Sequence, residues 1–71
     1  MSVEYLWKDG GSVDGGCPAL YRADRAGAAG YIVQGRHLST AERGALREVA
    51  ADEDAVWVPA NILDRLAGGA G

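Results

Sequence analysis

The sequence predicts a small α+β protein, with a three-stranded, mainly antiparallel sheet and two short helices packed on one face. Two observations support this class. Runs of β-branched and aromatic residues, which favour strands, alternate with two segments whose apolar residues recur at helical spacing. Glycine and proline mark the boundaries between them. With 71 residues, the chain can form one domain with a thin core.

The run Tyr31-Ile32-Val33-Gln34-Gly35 is expected to be the central strand, because an aromatic and two β-branched residues are consecutive in it. Gly35 would mark a bulge or a close backbone approach. Residues 17–23, entered through Pro18, are expected to form a hairpin with this strand. Residues 24–30 would connect the two, since their glycines permit positive φ.

The N-terminal region, residues 1–16, is predicted to be less ordered than the rest of the chain. Residues 3–7 alternate weakly, which indicates a possible edge strand with Val3, Tyr5 and Trp7 on one face. Residues 8–16 hold four glycines and two aspartates and are expected to form a mobile loop. The sequence therefore divides into a flexible segment with that strand (1–16), one α+β domain (17–67) and a disordered tail (68–71).

Ser39-Thr40-Ala41-Glu42 fits a capping box and predicts a helix over residues 40–50. Gly44 should weaken that helix by about 1 kcal/mol relative to Ala. Its apolar positions would make one stripe facing the sheet: Ala41, Ala45, Leu46, Val49 and Ala50.

Residues 56–58 predict the third strand of the sheet, which Pro59 ends. Pro59 is also suited to the first turn of a last helix that runs to residue 67 and stops at the glycines beyond it. We expect one core to bury the large apolar side chains of both helices: Leu46, Ile62, Leu63 and Leu66.

Charge and composition bear on the function classes. The net charge of −3 and the scattered seven Lys and Arg residues disfavour binding to nucleic-acid phosphates, which needs a basic face. The chain has no apolar run long enough to span a membrane and no signal-peptide layout, and it has one cysteine. These features predict a cytoplasmic protein.

No catalytic constellation emerges from the sequence. Cys17 and His37 are the only thiol and imidazole, and a single residue of each type does not indicate a nucleophilic pair. A zinc site needs more Cys or His ligands, and the acidic residues 52–54 lack the alternate spacing of a calcium loop. We therefore expect no enzyme activity, no cofactor and no metal.

The aromatic residues predict a protein-contact surface. Trp57 must face away from Val56 and Val58, which places it on the sheet face that the helices leave uncovered, with Tyr21 and Tyr31 as neighbours. An exposed aromatic patch often marks a contact surface. In the alternative arrangement, the N-terminal segment of residues 5–7 folds over that face and buries it.

The motifs Cys17-Pro18-Ala19-Leu20-Tyr21, Tyr31-Ile32-Val33-Gln34-Gly35 and Val56-Trp57-Val58-Pro59-Ala60 resemble a group of small uncharacterised actinobacterial proteins with C-P-x-x-Y, Y-V-V-Q-G and V-x-V-P-A patterns. Genes of that group often lie beside helix-turn-helix regulators in Streptomyces-type genomes. The resemblance implies a regulatory accessory role without catalysis and a transcriptional regulator as the partner.

Two functions remain open from the sequence. The favoured one is a small protein-interaction or regulatory module that binds a protein partner and can also form a homodimer. The alternative is a nucleic-acid-binding module, alone or as a dimer, whose basic groups flank the predicted hairpin: Arg22, Arg25, Arg36 and His37.

Overall fold

The computed structural model describes residues 2–10 and 17–68 and confirms the α+β class. The elements in chain order are β1 (Val3–Lys8), β2 (Ala19–Arg25), β3 (Ala28–Gln34), β4 (Arg36–His37), α1 (Thr40–Gly44), β5 (Val56–Trp57) and α2 (Ala60–Ala67). The main sheet has the order β1-β2-β3 and is antiparallel throughout, and β4 and β5 pair in a separate, two-stranded minor sheet.

The strand order differs from the expectation in two respects. The central strand is β2, and β3 lies at an edge. The third strand is the N-terminal β1, whereas Val56 and Trp57 pair with His37 and Arg36 in the minor sheet. The longer N-terminal strand provides more pairing positions along β2 than the two-residue β5 could.

Gly35 is the point where the chain passes from the main sheet to the minor sheet. A Cβ built at this position would clash with the carbonyl oxygen of Trp57 and would lie 2.7 Å from Cγ1 of Val58. The close backbone approach predicted from the sequence is therefore confirmed. It lies between two strands and not inside a central one.

The predicted hairpin of β2 and β3 is confirmed, with a shorter connection. The strands extend to Arg25 and restart at Ala28, so the turn contains only Ala26 and Gly27. Their φ angles of 51° and 84° fit the type I′ turn that matches the twist of a two-residue hairpin.

A bulge in β1 changes which side chains share a face. Tyr5 pairs with Tyr21, but Trp7 pairs with Leu20, so the register shifts across Leu6. Because one extra residue reverses the alternation, Trp7 lies on the Leu20 face and not with Val3 and Tyr5. The expectation of one face for all three was wrong for this reason.

The core lies where α2 packs against β2. Leu20 and Ile62 are fully buried there. Cys17 and Ala19 are also buried, but Ala19 shares its face of β2 with Tyr21 and so lies opposite to Leu20. Trp7 Nε1 donates a hydrogen bond of 2.8 Å to the carbonyl of Ile62. The guanidinium of Arg65 lies 5.7 Å from the centre of the Trp7 ring and donates to the carbonyl of Lys8 at 3.3 Å. These contacts fix α2 to one face of the main sheet.

The first helix begins as predicted but ends early. The Glu42 amide donates to Ser39 Oγ at 3.1 Å and the Ser39 amide to Glu42 Oε1 at 2.8 Å, which confirms the capping box. The helix stops at Gly44 and has no buried residue. Leu46 is 39% exposed, and Leu63 and Leu66 are also exposed, so Ile62 alone of the predicted set is in the core.

The predicted last helix over residues 60–67 is confirmed, with Pro59 at its N-cap and Gly68 at its C-cap. The predicted mobile loop is corrected at its start: Lys8 belongs to β1, and the Asp9 amide donates to the Pro18 carbonyl at 2.8 Å. Residues 11–16 of that loop, and residues 69–71 of the predicted tail, lie outside the described residues.

Candidate protein-contact surface

The two faces of the main sheet have different surroundings. On one face, α2 covers Leu20. On the other, Tyr5, Tyr21 and Ile32 are register partners across β1, β2 and β3, so they form one continuous row. We call these three residues the exposed row. Tyr5 is 54% and Ile32 is 41% accessible to solvent.

Side-chain contacts hold the exposed row in place. The rings of Tyr5 and Tyr21 meet edge to face, with centroids 5.7 Å apart. The Tyr21 hydroxyl donates to Gln34 Oε1 at 3.2 Å, and Gln34 Nε2 donates to the carbonyl of Cys17 at 2.7 Å. Aromatic side chains with few free torsions lose little entropy on binding, so this surface is suited to protein contact.

The neighbouring row of the same face continues the apolar surface. Val3, Ala23 and Gly30 are register partners two residues further along the strands, on the same face of the sheet. Val3 is exposed, and none of the three carries a charge. Together with the exposed row they make an uncharged patch across all three strands, and exposed apolar patches often mark interaction sites.

The structure does not bring the predicted contact residues together. Tyr21 lies in the exposed row. Tyr31 pairs with Arg22 and so faces the Leu20 side of the sheet, where it is 51% exposed. Trp57 is 49% exposed in the minor sheet. The expected neighbourhood of these three residues was wrong, because it assumed that residues 56–58 join the main sheet.

The N-terminal segment does not adopt the alternative arrangement, in which it would cover the sheet face. Residues 5–7 do not fold over the uncovered face but lie within β1 at the edge of the sheet. As a result, Tyr5 extends the exposed surface beside Tyr21 and does not bury it.

The basic groups of the alternative function are divided between surfaces. Arg22 and Arg25 have opposite parity in β2, and Arg36 and His37 are consecutive in β4, so each pair points to opposite sides. Arg22 lies 3.9 Å from the Glu4 carboxylate and 6.0 Å from the centre of the Tyr31 ring. The strand register therefore favours an uncharged contact surface over a basic one.

Two carboxylates have pKa values below their ordinary range. The Ser2 amide and hydroxyl donate to Asp24 at 2.9 and 2.7 Å and lower the pKa of Asp24. The Arg43 guanidinium, at 2.8 Å, and the Ala55 amide lower the pKa of Asp54. Both carboxylates therefore accept hydrogen bonds that hold the fold together. Asp24 binds the residue before β1, and Asp54 binds Arg43 of α1.

The contacts of the lone thiol and imidazole also differ. Cys17 is buried beside Gln34, whereas His37 is exposed on β4 and acts electrostatically on Asp54. Within residues 2–10 and 17–68, no group of three or more His, Cys, Asp or Glu side chains is placed to hold a metal ion. In the same part of the chain, no helix is long and apolar enough to cross a membrane.

Sequence reasoning missed Tyr5 and Ile32 as members of this surface. A signal for Tyr5 was present, since its alternation with Glu4 places it opposite to a charged residue. The side of Ile32 depended on the turn, because a two-residue connection sets the pairing of Tyr21 with Ile32.

Comparison of the chain with protein-family models, curated proteins and solved structures finds no match. The resemblance to the actinobacterial group therefore stays a prediction, and the functional interpretation rests on the geometry of the surface.

Proposed function

We propose that this chain is a small protein-interaction module, a regulatory accessory protein without catalytic activity, and that the exposed row is its contact surface. The observation that carries the proposal is the alignment of Tyr5, Tyr21 and Ile32 in one row on the face opposite α2.

Burial and charge support this assignment. A protein of this size has a thin core. Because Tyr5 is 54% and Ile32 41% exposed, the chain forgoes burial of apolar surface that would stabilise it. A partner that covers the row would recover this burial. The row is uncharged, which suits an apolar protein surface and not a phosphate backbone.

The resemblance to proteins encoded beside helix-turn-helix regulators supports a transcriptional regulator as the partner. Nucleic-acid binding through Arg22, Arg25, Arg36 and His37 is the less favoured alternative, since strand parity directs these groups to different sides. Tyr31 and Trp57 stay predicted contact residues outside the row.

The proposal can be tested by capture from the native host with the immobilised chain, followed by measurement of the dissociation constant for the retained partner. The variant Tyr5→Thr/Ile32→Thr removes most of the exposed row and keeps residues of high β-propensity. Loss of a central contact residue typically costs about 2 kcal/mol or more, so we expect affinity to fall by roughly 30-fold.

Val56→Thr is the matched control, because Val56 is also an exposed strand residue, 38% accessible, but lies in β5. It should bind the partner as the wild type does. Equal unfolding midpoints for the three proteins would show that the fold is kept. Unchanged affinity in the double variant, or an equal loss in Val56→Thr, would contradict the proposal.

A further inference from the structure

One edge of β3 faces away from β2. Among the residues that the structure describes, β3 pairs only with β2, and none of the backbone hydrogen bonds outside helices and strands involves it. Its seven residues, Ala28–Gln34, include no charge and no proline. Charges, prolines and bulges are the usual means by which an edge strand avoids pairing with another chain, and β3 has none of the first two. Its pairing with β2 is also regular from Ala28 to Gln34.

The turn determines which backbone groups point outward. In a two-residue hairpin the pair that flanks the turn, here Arg25 and Ala28, exchanges both hydrogen bonds, and bonded pairs then alternate along the ladder. Gly30 and Ile32 therefore direct their N–H and C=O groups towards β2. Ala29, Tyr31 and Val33 direct theirs to the edge that faces away from β2.

We infer that β3 is a homodimer interface, at which β3 of a second copy pairs antiparallel about a two-fold axis at Tyr31. Tyr31 then exchanges two hydrogen bonds with Tyr31 of the second copy. Ala29 exchanges two hydrogen bonds with Val33 of the second copy. By symmetry, Val33 exchanges two hydrogen bonds with Ala29 of the second copy. Every outward group of the three residues is satisfied, and the two main sheets become one continuous sheet of six strands.

A second copy fits this edge better than an unrelated strand does, because the side chains are self-complementary in this register. Ile32 lies opposite Gly30 of the second copy, and Val33 opposite Ala29, so a large residue meets a small one at each pair. A two-fold interface requires this kind of self-complementarity. Tyr31 and Ile32 are 51% and 41% exposed in one copy. In the dimer Tyr31 lies against Tyr31 of the second copy, and Ile32 lies against Gly30 of the second copy.

The row through the axis is also matched electrostatically. Glu4, Arg22 and Tyr31 are register partners on one face, with the Arg22 guanidinium close to both neighbours. Across the six strands of the dimer this row would read Glu4, Arg22 and Tyr31 of one copy, followed by Tyr31, Arg22 and Glu4 of the second copy. The two uncharged tyrosines meet at the centre, and the two β3 strands separate the charged groups of one copy from those of the other. The interface shares Ile32 with the exposed row but is centred on Tyr31, on the other face of β3, and it does not depend on the proposed function.

Sedimentation equilibrium over a wide range of concentration tests the inference. The wild type should reach twice the chain mass of 7.4 kDa. Tyr31→Glu places two carboxylates opposite each other at the axis while Arg22 remains beside each one within its own copy, so the dissociation constant should rise about tenfold or more. Tyr5→Glu is the control, since Tyr5 is equally exposed but lies in the exposed row, and it should remain dimeric.

A disulfide experiment tests the register without depending on the glutamate variant. With Cys17→Ala as the background, Tyr31→Cys places two thiols at the axis, where paired Cα atoms lie about 5.5 Å apart. Ala29→Cys places them four positions out of register. Covalent dimer should form readily with the first and not with the second.

Three results would overturn the inference. One is a wild type that stays monomeric throughout the range. Another is a dimer that Tyr5→Glu dissociates and Tyr31→Glu does not, which would place self-association on the exposed row. The last is equal or absent crosslinking at positions 31 and 29. A wild type that stays monomeric but takes up an extended peptide along β3 would assign the edge to a different partner.

Discussion

The main sheet with α2 and the segment of residues 39–54, called here the middle segment, illustrate two different outcomes of similar sequence signals. The buried apolar residues, Cys17, Ala19, Leu20 and Ile62, all belong to the first region or border it. Every residue of the middle segment is exposed, although it begins with a complete capping box. A local signal can therefore determine where a helix starts without giving it anything to pack against.

The comparison predicts that Ile62→Ala is the most damaging change. Truncating a fully buried Ile leaves a cavity and lowers the free energy of unfolding by about 2–5 kcal/mol, which is much of the stability of a small domain. Urea denaturation measures it.

Leu46→Ala serves as the counterpart in the middle segment, where Leu46 is 39% exposed. It should change the free energy of unfolding by only about 0.5 kcal/mol or less. If Leu46→Ala destabilises the protein as much as Ile62→Ala, the middle segment contributes to the core and the comparison fails.

Two glycines, one in each part of the chain, differ in the space around their backbone. Gly35→Ala introduces a Cβ against the Trp57 carbonyl and Val58, and overpacking of this kind costs about 1–3 kcal/mol. Gly44→Ala meets nothing within 4 Å and should favour helix by up to about 1 kcal/mol. Thermal unfolding of both variants would reveal opposite shifts. An unchanged melting temperature in Gly35→Ala would contradict the close approach of Gly35 to Trp57 and Val58.

The fold class, the hairpin, the last helix and the capping box follow from the sequence, because each depends on neighbours in the chain. The strand order does not follow from the sequence, because both β1 and residues 56–58 have a residue pattern typical of strands. Which of the two pairs with β2 depends on contacts between distant parts of the chain. The bulge at Leu6 changed the face of Trp7. Of the three predicted contact residues, Tyr21 lies on the sheet face opposite α2, whereas the expected positions of Trp57 and Tyr31 depended on the strand order.

The two carboxylates with lowered pKa give the smallest expected effect. A carboxyl whose pKa is lower in the folded chain binds protons more weakly there, so its stabilisation is present above the unfolded pKa and is lost as the pH falls through the folded value. Asp24 of β2 accepts hydrogen bonds from Ser2, the residue before β1, and so ties β1 to β2. Its replacement in Asp24→Asn should reduce the acid dependence of the global unfolding midpoint, measured below about pH 5.

Asp54→Asn removes the corresponding contact with Arg43 in the middle segment. If that segment opens locally before the sheet unfolds, the acid dependence of the global midpoint should stay as in the wild type. An equal effect of both substitutions would indicate that the two regions unfold together.

Amide hydrogen exchange followed by NMR tests most directly whether stability resides in the main sheet with α2. The slowest amides should belong to β2, which is bonded on both sides, with protection that corresponds to global unfolding. Amides of residues 45–54 should exchange with little protection, apart from those in local bonds such as Glu53 to the Ala50 carbonyl. Protection across residues 45–54 equal to that of β2 would contradict the division of the molecule into these two regions.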